Sequence, residues 1–302
     1  MRERFTAVLE RFPSSLQQAL QPMLDNHFAG CFTPRQLLQL QQQSALDESS
    51  LLFALLPLAA AMSLAPVSGF HVGAIVKGDS GTVYLGTNIE LPGKALCHAV
   101  HAEQNAISRA WLAGEQRLSD IWINASPCGH CRQFMNELVA GDAINIHLPG
   151  QASAPLHHYL PYGFSPADLG IKQPLLATRH IELSCDASHD AVIQQALFHA
   201  SHSYAPYSQC YCAVVLQTRD GAIFGGRYAE NAAFNPSMMP MQMALANLNG
   251  HNRALKEISR AVLLASSAGK ISLQDVSAEA LRAVTDVALE YVTATPVPTP
   301  SI

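Results

Sequence analysis

Two stretches indicate the fold of this chain: residues 97–103, CHAVHAE, and residues 127–131, PCGHC. Among their side chains, the imidazole of His101 and the thiols of Cys128 and Cys131 form a candidate set of metal ligands. These side chains are ligands that zinc commonly takes in proteins. Three protein ligands leave one of the four tetrahedral positions open, and this arrangement is typical of a catalytic zinc site.

A carboxylate completes the chemistry that these ligands suggest. Zinc lowers the pKa of a bound water molecule to about 7, which makes water a nucleophile at neutral pH. Attack by such a water molecule then requires a group that carries protons between the reacting atoms. Glu103 follows His101 by two residues and is the only carboxylate within the two stretches. The spacing predicts that Glu103 is the catalytic proton carrier.

The elements around the ligands can also be predicted. Apolar periodicity favours a helix over residues 101–112, a short buried strand over 121–125 and a second helix over 128–138. A helix that begins at Cys128 places Cys128 and Cys131 on one side of its first turn. The positive end of the helix dipole lowers the pKa of a thiol there and favours the thiolate that binds metal.

The same residues permit a structural zinc site as an alternative. Cys97, His98 and His130 lie within the two stretches, and any of them could supply a fourth ligand. Taken alone, C-x-x-C could be a redox pair, and H-A-E could occur by chance. The combination, with a proline before the first cysteine and a predicted strand between the stretches, favours catalytic zinc.

Length and composition limit the class of protein. A chain of 302 residues is long enough for two domains, and 49% apolar against 14% charged residues can form a large core. The net charge is −5 and the 18 Lys and Arg residues form no run, which argues against a nucleic-acid polymer or a membrane surface as partner. The seven cysteines, an odd number, indicate a reduced, cytoplasmic protein.

The N-terminal part contains no predicted chemistry. Residues 1–47 are predicted to be helical throughout, and the first of them lack the apolar core of a signal peptide. The longest apolar run, residues 51–65, contains Pro57 and is too short to span a bilayer, so it predicts a buried helix.

A predicted hairpin precedes the first zinc stretch. Residues 66–76 predict a turn and a strand, and residues 82–90 predict a second strand. Asn88 and Glu90 share one face at the end of that strand because side chains alternate along a strand. The hairpin is therefore expected to carry both side chains towards the metal.

The segment 66–131 resembles the catalytic core of the cytidine deaminase family, whose zinc signature is H-x-E followed by P-C-x-x-C. The resemblance implies one Zn²⁺ per chain, held by His101, Cys128 and Cys131, with Glu103 as the catalytic residue. It also implies a nucleoside substrate, since in that family an Asn and a Glu bind the ribose hydroxyls and a phenylalanine stacks near the pyrimidine. The substrate-binding residues implied are Phe70, Asn88, Ile89, Glu90, and the backbone at Ala102 and Ser126.

The reaction implied is the hydrolytic deamination of cytidine and 2′-deoxycytidine to uridine and 2′-deoxyuridine with release of ammonia, a step of pyrimidine salvage. Deamination of a nucleotide, a free base or another heterocycle is an alternative, although no basic or glycine-rich cluster accompanies the motif to bind phosphate. A zinc-stabilised scaffold without activity is an alternative from another class. It would have a closed fourth coordination position and no role for Glu103.

The second half of the chain repeats the first. A shift of 140 residues superimposes residues 65–68, APVS, on 205–208, APYS, and superimposes Glu90 on Glu230, without gaps up to residue 266. Such a constant offset indicates a duplicated domain. At this offset the copy has lost its ligands and its carboxylate. The residues that replace His101, Glu103, Cys128 and Cys131 are Met241, Met243, Ala268 and Ile271.

We therefore predict two α/β three-layer deaminase domains, each a mixed sheet with helices on both faces. The predicted boundaries are 1–47 for an N-terminal helical segment, 48–165 for the catalytic zinc domain, 166–187 for a linker, 188–294 for the zinc-free copy and 295–302 for a disordered tail. The stretch 160–164, LPYGF, resembles a family segment that closes the active site with an aromatic ring, which makes Phe164 a candidate pocket residue.

The chain resembles the two-domain bacterial type of cytidine deaminase. Single-domain members of that family assemble as tetramers that share active-site residues, so a fused pair is expected to need only a homodimer. The loop 229–235, which contains Ala232, is predicted to line the pocket of the partner chain. The alternative is that this loop merely packs.

Overall fold

The computed structural model describes residues 3–24, 28–178, 180–186 and 189–297. These residues form two mixed sheets with helices on both faces, which confirms the predicted fold class. The helices are α1 (Glu3–Leu9), α2 (Ser14–Leu20), α3 (Pro34–Ser44), α4 (Glu48–Ala61), α5 (Ala102–Leu112), α6 (Gly129–Met135), α7 (Leu156–Tyr159), α8 (Ala191–Ser201), α9 (Pro240–Gly250) and α10 (Gln274–Leu281). The strands are β1 (Cys31–Phe32), β2 (Gly73–Gly78), β3 (Val83–Thr87), β4 (Leu118–Ile123), β5 (Asn145–His147), β6 (Ala154–Pro155), β7 (Leu183–Ser184), β8 (Cys212–Thr218), β9 (Ile223–Arg227), β10 (Ile258–Ser266) and β11 (Leu289–Pro296).

The first sheet has the strand order β1-β3-β2-β4-β5-β6. Strands β2 and β3 form the predicted antiparallel hairpin, and β4 and β5 are parallel. One face is covered by α4 and the N-terminal helices, which pack on Ile75, Leu85 and Trp122. The other face carries α5, so the helix that follows His101 lies directly on the central strands.

The N-terminal segment is not helical throughout, so that prediction is wrong at Cys31 and Phe32. These residues form β1, which pairs antiparallel with Tyr84 and Val83 at the sheet edge. A strand of two residues is too short to show periodicity in the sequence. The helix that follows begins at the predicted cap, where the Thr33 side chain and Gln36 form a capping box.

The predicted apolar helix is α4, a buried element that contains Pro57. No single helix among the described residues is long and apolar enough to cross a membrane, and one pair bent by 101°, α3 with α4, passes that test by length and composition only.

The second sheet has the strand order β7-β11-β10-β8-β9, with α8 on one face and α9 and α10 on the other. One apolar cluster runs through both domains, because α5 of the first packs against α9 of the second. The two domains therefore share a core.

The duplicated elements do not keep one offset, which corrects the gapless alignment. A Cβ added to Gly86 would lie 2.2 Å from the Ala106 nitrogen, and a Cβ added to Gly226 would lie 2.3 Å from the Ala244 nitrogen. The strands thus correspond at an offset of 140 residues and the helices α5 and α9 at 138. The loop before α9 is two residues shorter than its counterpart, and the connection after it is two residues longer.

The corrected alignment replaces His101 by Met239 and Glu103 by Met241. The copy still offers no imidazole or carboxylate at these two positions. The sequence does not reveal this shift. The loss of two residues before the helix and the gain of two after it cancel, so the strands on both sides still match at an offset of 140.

Two boundaries also differ from the prediction. The segment predicted as a linker contributes β7 and the buried Leu175, which bridges to Leu138. The prediction of a disordered tail is wrong at Thr295 and Pro296, which pair with β7 as part of β11. Residues 298–302 of the predicted tail lie outside the described residues.

A buried carboxylate joins the two domains. Glu137, two residues after α6, is fully buried and accepts hydrogen bonds from the hydroxyls of Tyr204 and Tyr207, both at 2.6 Å, and from the backbone nitrogen of Ala232 at 2.7 Å. Burial raises the pKa of Glu137. All three donors belong to the second domain, so they fix it against the end of α6.

We predict that Tyr204→Phe lowers the free energy of unfolding by about 1.5–3 kcal/mol, the usual contribution of a hydrogen bond to a charged group. Urea denaturation measures this difference. Tyr162→Phe is the matched control, because Tyr162 is 98% exposed and its substitution should change stability by less than about 0.5 kcal/mol. Equal stability of the two variants would contradict the role given to Glu137.

Candidate active site

The three predicted metal ligands meet at the first turns of two helices. His101 is the N-cap residue of α5, Cys128 is the N-cap residue of α6, and Cys131 is the third residue of α6. His101 Nδ1 lies 3.5 Å from Cys128 Sγ and 3.3 Å from Cys131 Sγ, and the two sulfurs are 3.6 Å apart. The structure thus brings the three side chains into one cluster.

These separations fit a zinc ion. Zinc–sulfur bonds of about 2.3 Å and zinc–nitrogen bonds of about 2.0–2.1 Å at tetrahedral angles separate ligand atoms by about 3.3–3.8 Å. Hydrogen bonds with Cys131 and His101 lower the pKa of Cys128 to about 3, which favours the thiolate that binds metal. Its hydrogen bond to Cys128 raises the pKa of the Cys131 thiol, whose proton must leave when a metal binds.

The candidates for a fourth ligand lie elsewhere. The Nδ1 and Nε2 atoms of His98 face Gln242 at 3.1 Å and Glu279 at 3.3 Å. The His130 ring stacks on the His101 ring, with centroids 4.9 Å apart. In the part of the chain that the structure describes, the group able to hold a metal contains three residues, which leaves one coordination position open.

Glu103 lies beside this cluster in the first turn of α5. Its side chain is 4% exposed, and burial raises the pKa of its carboxyl group. The Cys131 side chain opposes this rise in pKa, so the carboxylate interacts with a ligand without being one of the three clustered donors.

The predicted sugar-binding residues form a second group around Phe70. Strand β3 ends at Thr87, three residues earlier than predicted, and Asn88 turns back to the preceding loop. Its Oδ1 accepts from the Val72 nitrogen at 2.9 Å, and its Nδ2 donates to the Phe70 carbonyl at 2.8 Å. Asn88 therefore holds the backbone that carries the Phe70 ring.

Glu90 holds the same loop from the other side. It accepts hydrogen bonds from the backbone nitrogens of Val67 at 2.8 Å and Ser68 at 3.0 Å, and from the Ser68 hydroxyl. Ile89 between the two polar residues is buried, and its backbone bridges to Val100 just before the metal ligand. This bridge connects the loop of Phe70 to the start of α5.

The remaining predicted contacts lie next to the ligands in the sequence or against α6. Ala102 is the buried first residue of α5, and Ser126 is exposed in the loop between β4 and α6. The Phe164 carbonyl accepts from Gln133 at 2.6 Å and from Asn136 at 2.9 Å, so α6 holds this aromatic segment. The contacts of Gln133 and Asn136 were not predicted, because a single amide side chain on a helix has no recognisable sequence pattern. Helix α6 itself ends at Met135, three residues before the predicted end.

The loop 229–235 packs on its own catalytic domain. Asn231 Nδ2 donates to the Gln133 carbonyl at 3.0 Å, and Ala232 is 5% exposed with its nitrogen bound to Glu137. These contacts lie within one chain, and the assignment of this loop to the pocket of a partner chain stays a prediction. The ring of Phe234 is 66% exposed and is the part of the loop open to another molecule.

Comparison with known proteins gives the family. Residues 47–146 and 156–278 each match a family model described as "Cytidine and deoxycytidylate deaminase zinc-binding region". The chain is 58% identical to the cytidine deaminase of Shewanella amazonensis and 55% identical to that of Shewanella pealeana, over 98% of this chain and the whole of each relative. The chain belongs to the cytidine deaminase family. Both halves of this cytidine deaminase match, although only the first contains the metal ligands.

A solved cytidine deaminase from Mycobacterium tuberculosis is 28% identical and aligns with 39% of this chain and 98% of its own, with a TM-score of 0.36. The matched family regions are zinc-binding, and zinc is the cofactor that the cluster of His101, Cys128 and Cys131 fits.

We predict that Cys131→Ser reduces the zinc content from one ion per chain to well below one after dialysis against a chelator, since a thiolate ligand is lost. Metal analysis of the dialysed protein measures this content. Cys97→Ser is the matched control, because Cys97 is exposed and lies outside the cluster. Loss of zinc from both variants alike, or from neither, would contradict the ligand assignment.

Proposed function

We propose that this member of the cytidine deaminase family catalyses the hydrolytic deamination of cytidine and 2′-deoxycytidine to uridine and 2′-deoxyuridine, with release of ammonia in pyrimidine salvage. The observation that carries the proposal is a buried carboxylate, Glu103, beside a three-donor metal cluster with an open position. The relatives named cytidine deaminase support the same reaction.

When bound by His101, Cys128 and Cys131, zinc supplies a Lewis acid that makes water nucleophilic at neutral pH. Glu103 takes a proton from the attacking water and delivers it to N3 of the pyrimidine ring. It then takes the remaining proton from the hydroxyl group on C4 and transfers it to the amino group, so that the C4–N bond breaks, ammonia leaves and the C4 carbonyl of the product forms. Burial helps Glu103 in this role, because a raised pKa brings a carboxyl group closer to the pH at which it must exchange protons.

The sugar and the base are proposed to bind at the second group of residues. Asn88 and Glu90 bind the ribose hydroxyls, and the Phe70 ring lies against the pyrimidine. The hydrogen bonds that join both polar residues to the loop of Phe70 support this assignment, because they fix ring and polar groups relative to one another. Ile89, the backbone at Ala102 and Ser126, and the aromatic segment at Phe164 complete the proposed pocket.

We expect Glu103→Gln to lower kcat for cytidine by at least about 10²–10⁴-fold, the usual contribution of general acid–base catalysis, while one zinc per chain remains. The loss of cytidine absorbance in the ultraviolet, with ammonia assay, measures turnover. Glu48→Gln is the matched control at a surface position that pairs with Lys77. Retained activity in Glu103→Gln would refute the mechanism.

The same assay distinguishes the competing substrates. Turnover of cytidine, without turnover of cytosine or CMP, would support the proposed sugar contacts. Activity only on cytosine or CMP would keep the zinc chemistry and discard the roles of Asn88 and Glu90.

We further propose a cytoplasmic homodimer whose partner chain completes each pocket. The rings beside the site are exposed in the single chain, at 60% for Phe70, 44% for Phe164 and 66% for Phe234. Such exposed aromatic surface is typical of a protein interface. The seven cysteines are all unpaired, which fits a reducing compartment.

Light scattering is expected to give about 65 kDa, twice the chain mass of 32.5 kDa. Activity per chain is expected to fall on dilution below the dissociation concentration, because an open pocket holds the nucleoside poorly. A monomer with full activity would contradict the shared pocket.

A further inference from the structure

A cavity of about 800 Å³ lies between the two domains. Residues 96–99 of the catalytic domain form one wall, and the second domain forms most of the rest. This volume falls in the usual range of small-molecule sites, about 300–1,000 Å³. The cavity reaches the outer edge of the metal site at His101 and His130, but Phe70, Asn88 and Glu90 do not line it.

The cavity wall contains the copy of the proposed sugar-binding carboxylate. Glu230 corresponds to Glu90 and accepts hydrogen bonds from the backbone nitrogens of Tyr207 at 2.7 Å and Ser208 at 3.1 Å. Glu90 accepts from the two equivalent nitrogens, so the copy preserves this arrangement. Glu230 is only 3% exposed and lines the cavity.

One difference leaves the copied carboxylate with an available oxygen. In the catalytic domain the Ser68 hydroxyl donates to Glu90 Oε1. In the copy, the hydrogen bonds that described residues make to the Glu230 side chain both end on Oε2, and none of them involves the Ser208 hydroxyl. Oε1 of Glu230 can therefore accept from a further donor. A ligand hydroxyl in the cavity would supply one.

The rest of the wall suits binding without reaction. Met239 lines the cavity at the position of His101, and Ile271 lines it from the loop before α10. Neither side chain can hold zinc as imidazole and thiolate do. Met238 and Tyr228 add buried surface against which a ring can pack, and Lys270 lines the cavity beside Ile271.

We propose that this cavity is a second, non-catalytic binding site for a nucleoside, whose ribose hydroxyl donates to Glu230. The proposal rests on the proposed function, since it takes the sugar role of Glu90 as its template. It assigns the degenerate copy a ligand of the same chemical class as the substrate. Turnover is absent there because the copy has replaced the metal ligands.

The test is the number of uridine molecules bound per chain of the zinc-loaded protein, measured by equilibrium dialysis. Uridine is the probe because it is the product and is not consumed. We expect two per chain for the unchanged protein, one for Glu90→Gln and one for Glu230→Gln. Val276→Trp fills the cavity from α10 and is also expected to bind one uridine per chain. This variant tests the second site even if Glu230→Gln does not fold.

The outcomes separate this proposal from the proposed function. One uridine per chain, lost in Glu90→Gln and kept in Val276→Trp, would overturn the second site and leave the catalytic assignment intact. Binding of two uridine molecules per chain by a folded Val276→Trp variant would also overturn the second site. If Val276→Trp loses one uridine while Glu90→Gln loses none, the second site stands and the sugar role of Glu90 fails.

Discussion

The close contact between α5 and β3 is the constraint on which the active site depends. At Gly86 the helix backbone lies so near the strand that a Cβ would sit 2.2 Å from the Ala106 nitrogen. Only glycine permits this approach. The contact therefore fixes the position along β3 at which α5 begins. Because His101 caps that helix, the position of the imidazole follows from a residue without a side chain. The copy repeats the contact at Gly226 after losing its metal ligands.

The metal site was predictable because its donors are close in sequence and belong to helix starts that local patterns indicate. The ligand cluster and the mixed α/β fold agree with that prediction. The roles of Glu103, Asn88 and Glu90 stay predictions, although the structure shows where they lie. The features that could not be predicted depend on contacts between segments that are distant in the sequence. The offset of α9 follows from helix packing at Gly226, and β1 exists because it pairs with β3.

The contacts of the loop 229–235 could not be predicted for the same reason. Its position follows from hydrogen bonds to Gln133 and Glu137, neither of which belongs to a recognisable motif. The homology of the two halves suggested a contact between chains, whereas one chain already provides a surface for the loop. Helix α6 is thus fixed by zinc ligands at its start and by the second domain at its end.

The shared core restricts how the two halves of such a chain can change over time. Side chains that faced only a substrate, such as the lost ligands, can be replaced in the copy without disturbing the fold. Side chains of α9 that pack against α5 cannot, because their loss would open the interior of the catalytic half. A duplicated domain joined in this way loses its chemistry more easily than it can be deleted. The second half, although it lacks the metal ligands of the first, therefore remains necessary for the packing of the catalytic half.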